Sequence, residues 1–193
     1  MRFNSKKLLL FSMIILILVF PNMVFAKDNS VKLTEEKIPS AVNEIVKNAG
    51  SFTEPLIVDS GLVDTEDNTK IYFYILPVDS KAVKSSNDFS IQSVTPLSSH
   101  TIPQGVKMIY SRSDGQPWTV ATTTLVSMSF STNQTSPTTM QYGHFNTDNG
   151  QTIQSFTDTS NYAYAHYAGA THIRFFITNL SAGSVIVSGQ ISF

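Results

Sequence analysis

Apolar residues recur along this chain with two different periods. Ile38, Val42, Ile45, Val46 and Ala49 fall on one stripe at helical spacing, which predicts an amphipathic helix. Pro39 suits its first turn and Gly50 the position just past its end. Two extended runs follow, Pro55–Val63 and Lys70–Leu76, around the turn-prone Asp64-Thr65-Glu66-Asp67-Asn68-Thr69. From Val106 onward the period is two. The expected strands are Val106–Ser111, Trp118–Ala121, Leu125–Ser131, Thr138–Phe145, Thr152–Thr157, Asn161–Tyr167, Thr171–Asn179 and Ser184–Phe193. Turn material such as Asp114-Gly115, Asp148-Asn149-Gly150 and Gly169 separates them. The predicted fold class is mainly β: a carboxy-terminal antiparallel β-sandwich or jelly roll of about eight strands, preceded by a small α+β unit of helix, strand and strand.

Two details sharpen this pattern. Trp118, Val120, Val126, Met128 and Phe130 share one parity, so they belong to one buried face, with Trp118 in the core. A single strand from Trp118 to Ser131 would exceed the usual strand length, which predicts a bend at Ala121–Thr124. The last strand puts Val185, Val187, Ile191 and Phe193 on one face. Outer-membrane barrels also end on such a pattern, but their strands are longer and carry an apolar outer band.

Composition then adds a boundary. Lys27 to Thr95 holds 7 Lys and 11 Asp/Glu, whereas Pro96 to Phe193 holds only Lys107, Arg112, Arg174, Asp114, Asp148 and Asp158. The change falls within 84–105, where Ser85, Ser86, Pro96, Ser98, Ser99 and Pro103 read as a linker or long loop. The expected organisation is a signal peptide at 1–26, the α+β unit at 27–83, the linker at 84–105 and the sandwich at 106–193. No segment is basic enough to hold a phosphate backbone, which argues against nucleic acid as a partner.

The first residues read as an export signal. Arg2, Lys6 and Lys7 precede the apolar run Leu8–Phe20, Pro21 and Asn22 break it, and Val24-Phe25-Ala26 suits a cleavage site. The run is shorter than the roughly 20 residues that span a bilayer, so the expectation is a secreted or cell-surface protein, with no membrane contact after cleavage. The chain has no Cys, which excludes thiol catalysis, disulfides and Cys-ligated zinc.

Motifs are few. Leu56-Ile57-Val58-Asp59-Ser60-Gly61 resembles the aspartic-protease pattern of apolar residues before Asp-Ser/Thr-Gly. That chemistry needs two carboxylates sharing a proton, and only one such triplet is present. The segment reads instead as a strand ending in a turn at Gly61. Asp64, Glu66 and Asn68 alternate like early calcium-loop ligands, but Thr69 and Ile75 stand where an EF-hand needs Gly and Glu, so a solvated hairpin turn is expected. No catalytic residue, metal set or cofactor is assigned.

The most informative segment is Asn161–Asn179. A three-residue hairpin loop at Ala168–Ala170 would set His166 opposite His172, Tyr164 opposite Arg174 and Tyr162 opposite Phe176. One face would be Ala and Ile with Phe175; the other would gather Tyr162, Tyr164, His166, His172, Arg174 and Phe176. Flat rings beside hydrogen-bonding groups suit a carbohydrate, a cell-wall component or another surface protein. The same face could instead be covered by the amino-terminal unit. The expected function is therefore a secreted, non-enzymatic β-sandwich binding module. The alternatives are a self-associating structural or matrix component, pairing through Thr171–Asn179 and Ser184–Phe193, and a hydrolase without a recognisable motif.

Overall fold

The computed structural model describes residues 30–31, 38–78, 83–84 and 93–193. The expected signal peptide at 1–26 lies outside the described residues. One helix, α1 (Ile38–Ala49), accompanies the strands β1 (Ser30–Val31), β2 (Leu56–Asp64), β3 (Lys70–Ile75), β4 (Val83–Lys84), β5 (Ser93–Ile102) and β6 (Val106–Ser111). The chain continues through β7 (Trp118–Thr119), β8 (Leu125–Thr132), β9 (Met140–Asn146), β10 (Thr152–Asp158), β11 (Ala163–Tyr167), β12 (His172–Asn179) and β13 (Val185–Ser192).

The strands form two sheets. The first runs β1-β2-β3-β6-β12-β9-β10, with β7 also paired to β12; the second runs β11-β8-β13-β5-β4. Pairing is antiparallel except for β1 on β2 and β3 on β6. The protein is thus mainly β, as the period-two pattern predicted, with the two sheets stacked as a sandwich and the helix on the outer face of the first.

The helix stripe explains the third layer. Val42 is fully buried, and Ile45 and Val46 pack beside it, against Ile71, Phe73, Ile75, Ile109, Phe145 and Phe176. Gly50 ends the helix at φ 65°, the left-handed position its sequence place anticipated. Between the sheets lies the larger core, which includes Tyr74, Met108, Tyr110, Trp118, Met128, Phe175, Ile177 and Val187. Strands β3, β6 and β12 are covered on both faces, so apolar residues occupy both parities.

One expectation about organisation changes. The 84–105 stretch, expected as a linker or long loop, carries β5, in which Val94–Leu97 and His100–Ile102 pair with β13 in the second sheet on either side of a bulge. Its Ser and Pro residues fit because alternate positions there face solvent, as Pro96, Ser98 and Ser99 do. The amino-terminal strands join the rest of the chain within the first sheet, where β3 pairs with β6 along its full length.

The expected bend at Ala121–Thr124 is where the chain leaves the first sheet at β7 and enters the second at β8, closed by Thr124 N–H donating to Ala121 O at 2.9 Å. The 168–170 segment makes the reverse crossing. The two corners are stitched together: Ala168 N–H donates to Thr124 O and Gly169 N–H to Thr122 O, each at 2.9 Å.

Gly143 sits where β9 passes between β10 and β12, and a Cβ there would lie 1.9 Å from the Gln154 carbonyl oxygen. Gly143→Ala is expected to lose about 3 kcal/mol in urea unfolding, because backbone must shift to admit the methyl group. Gly183→Ala, which meets no atom within 4 Å, is expected to stay within about 0.5 kcal/mol.

Candidate functional site

The turn after β6 carries the first half of a surface cleft. Arg112 N–H donates to Gln116 O at 3.2 Å and Gly115 N–H to Arg112 O at 2.8 Å, while Asp114 Oδ1 accepts the Gln116 N–H at 3.0 Å. Gly115 has φ 75°, and a Cβ there would meet Val42 of α1 at 2.8 Å, so glycine is needed for both angle and fit. Gln116 Nε2 also donates to Asn43 Oδ1 at 3.1 Å. The turn is therefore pressed against the helix.

Arg174 supports the same turn from inside. It is fully buried on β12, and its Nη2 donates to Gly115 O at 2.9 Å while Nη1 donates to Ser111 Oγ. The guanidinium thus fixes the backbone that presents Arg112 and Gln116.

The second half comes from the β9–β10 turn and the start of β12. Asn146 Oδ1 accepts the Asp148 N–H at 2.9 Å, and Gly150 N–H donates to Asn146 O at 2.8 Å. Thr147 N–H donates to His172 O at 3.1 Å, which locks this turn to β12. Asp148 Oδ1 then lies 3.0 Å from His172 Nδ1. A carboxylate only accepts, so Nδ1 carries the proton and Nε2 remains as the ring's second hydrogen-bonding atom. Thr119 of β7 is the register partner of His172. Arg112, Gln116, Pro117, Thr119, Asp148 and His172 line a cleft of about 310 Å³. A guanidinium, an amide, a hydroxyl, a carboxylate and an imidazole converge there over a proline ring, offering both donors and acceptors.

The chain matches no family model, no curated protein and no solved structure.

The hairpin expected at Ala168–Ala170 does not form. Strand β11 pairs with β8 in the second sheet, whereas β12 pairs with β6, β7 and β9 in the first. The six residues expected on one face therefore separate into three environments. Tyr162 and Tyr164 point between the sheets: Tyr162 stacks on Phe130 at 4.7 Å and bonds Thr138, and Tyr164 Oη lies 3.1 Å from His144 Nδ1. Arg174 and Phe176 point the other way, under α1, as the covering alternative required. His166 and His172 alone reach solvent, from different sheets. The reason is physical: alternation fixes which residues share a face of one strand, but not which strand lies next to it.

The remaining motifs resolve into structure. Asp59-Ser60-Gly61 is a bulge rather than a strand end, with Gly61 at φ 67°, Asp59 Oδ1 accepting its N–H at 2.9 Å and Ser60 Oγ donating to Ile71 O at 2.7 Å. Strand β2 then continues to Asp64. Trp118 is core, edge-on to Phe175 at 5.5 Å. Among the described residues no three His, Cys, Asp or Glu side chains are grouped to hold a metal.

His144, outside the expected face, has a large electrostatic consequence. It is 0% exposed in the inter-sheet core, parallel to Tyr164, and Nε2 has no hydrogen-bond partner among the described residues. Burial pushes its pKa down to about 4, and His100 is lowered for the same reason. The unfolded imidazole binds a proton near pH 6.5, so the unfolded state takes up protons first. Stability is full above pH 6.5 and falls as the pH drops toward 4. Between pH 7.5 and pH 5 the wild type is expected to lose about 2 kcal/mol more than His144→Phe, measured by urea unfolding at both pH values.

Proposed function

We propose that the protein is an exported, non-enzymatic β-sandwich module that binds a short polar ligand, a glycan or peptide fragment of a cell surface, in the cleft between the 112–117 turn and Asp148. The single observation that carries this reading is the convergence of Arg112, Gln116, Thr119, Asp148 and His172 on one cleft, with the turn between Arg112 and Gln116 held at the Gly115 carbonyl by the buried Arg174. Planar polar side chains in fixed orientations suit hydroxyl- or amide-rich ligands, because each can exchange a water for a ligand group without reordering. Export rests on Arg2, Lys6, Lys7, the apolar run to Phe20 and the small residue Ala26.

A second reading, self-association, is favoured by β11. Tyr162 O accepts from Phe130 N–H and Ala168 N–H donates to Thr124 O, so even positions face β8 and the backbones of Ala163 and Ala165 face outward. Among the described residues no strand pairs with that side, and β11 carries no Lys, Pro or bulge to guard it. The strands first considered for pairing are excluded by position: β12 and β13 each have neighbours on both sides.

In a binding screen against cell-wall glycan and peptide fragments, Arg112→Ala and Asp148→Ala are each expected to weaken binding about tenfold, the cost of one charged hydrogen bond. Tyr164→Phe, remote from the cleft, is expected to leave affinity unchanged. Wild type that binds while both cleft variants retain its affinity would remove the cleft as the site. For the second reading, sedimentation across a wide concentration range is expected to show wild-type assembly that Ala165→Lys abolishes; a wild type that stays monomeric rejects it.

A further inference from the structure

The 64–69 loop is the solvated hairpin turn expected, with Thr65 to Asn68 exposed, and it anchors a buried ion pair at its start. Asp64 is 2% exposed and Lys107, from the second position of β6, is 5% exposed. Lys107 Nζ contacts Oδ2 of both Asp64 and Asp67. The Phe176 ring covers the ammonium at 5.3 Å. Each carboxylate uses its other oxygen locally: Asp64 Oδ1 accepts the Glu66 N–H at 3.0 Å, and Asp67 Oδ1 accepts the Thr69 N–H at 3.1 Å as well as the Thr69 hydroxyl. The turn itself is closed by Asp64 N–H to Thr69 O and Asn68 N–H to Asp64 O, each at 2.9 Å, with Asn68 at φ 56°.

Such a cluster is expensive as ions. The Lys107 ammonium and the Asp64 carboxylate are both removed from water, which penalises their charged forms, while Asp67 stays partly exposed beside them. Condensing the amine with one carboxylate removes two of the three charges. The geometry supplies the parts: a nucleophile and an electrophile held together away from water, a donor on the oxygen that will bear charge, and a second carboxylate to move a proton.

We propose that Lys107 and Asp64 are joined by an intramolecular isopeptide bond, with Asp67 carrying the proton. One ammonium proton passes to Asp64 Oδ2, leaving a neutral amine and acid. Nζ attacks Cγ, and the charge that forms on Oδ1 is held by the Glu66 N–H. Asp67 takes a second proton from Nζ and delivers it to Oδ2. The Cγ–Oδ2 bond breaks and water leaves with two of the three original ammonium protons. The third stays on the amide nitrogen, and Asp67 returns to its carboxylate. Net charge is conserved and no oxidant or co-reactant enters.

The test is intact mass under denaturing conditions on the purified full chain, with Lys107→Met prepared alongside to fix the amino terminus. Wild type is expected one water lighter than its sequence mass, and Lys107→Met at its full sequence mass. Trypsin is expected to leave Lys107 uncut, with the peptide that carries Asp64 attached to it. Wild type at its full sequence mass, or a water loss mapping elsewhere, overturns the proposal. Asp67→Asn with unchanged circular dichroism is expected at its full mass; a water loss in that variant overturns the role given to Asp67.

Discussion

The rest of the structure depends on β12 being covered on both faces. Ile173, Phe175 and Ile177 meet the second sheet, while Arg174 and Phe176 meet the helix side. A strand in that position has no solvent face to receive polar residues. Its one cation must therefore find partners inside, and Arg174 finds them in Ser111 and the Gly115 carbonyl. The buried guanidinium is thus a consequence of the three-layer arrangement, and the shape of the 112–117 turn is a consequence of the guanidinium. Surface chemistry at Arg112 and Gln116 is set from the core outward.

A similar logic governs the two polar interiors. Between the sheets, His144 and His100 are accommodated as neutral rings, each bonded to a tyrosine hydroxyl, at 3.1 and 2.9 Å. On the helix side, Lys107 and Asp64 are accommodated as a pair. Neutral hydrogen-bonding rings suit the wide inter-sheet layer, where rings pack both stacked and edge to face. The charged cluster sits at the sheet's end, where the 64–69 turn supplies backbone N–H groups to the carboxylates.

How much of this was readable from residues differs by level. The helix stripe at Val42, Ile45 and Val46 and the alternation through Val126, Met128 and Phe130 reported burial directly, because a one-sided element shows its period. The strand at 93–102 was hidden by Pro96 and its serines, which mark an exposed face as readily as a loop. The face proposed around Tyr164 and Arg174 failed because Ala168-Gly169-Ala170 turns a corner between sheets, and a corner and a hairpin share the same residues. The cleft was invisible for a related reason. Asp114-Gly115 and Asp148-Asn149-Gly150 were each legible as turns, but nothing local says that two turns will meet. His172 alone was anticipated among the cleft residues.

The topology also dictates when each sheet can close. In each sheet the last of the described strands in sequence lies between two earlier ones: β12 joins β6 to β9, and β13 joins β5 to β8. Until those strands exist, the β1-β2-β3-β6 and β9-β10 parts of the first sheet, and the β11-β8 and β5-β4 parts of the second, have no strand joining them. Closure of each sheet therefore rests on contacts of long sequence separation, which form slowly. Each sheet is thus completed by a strand inserted between two others, and the two edges it covers lie open until it arrives.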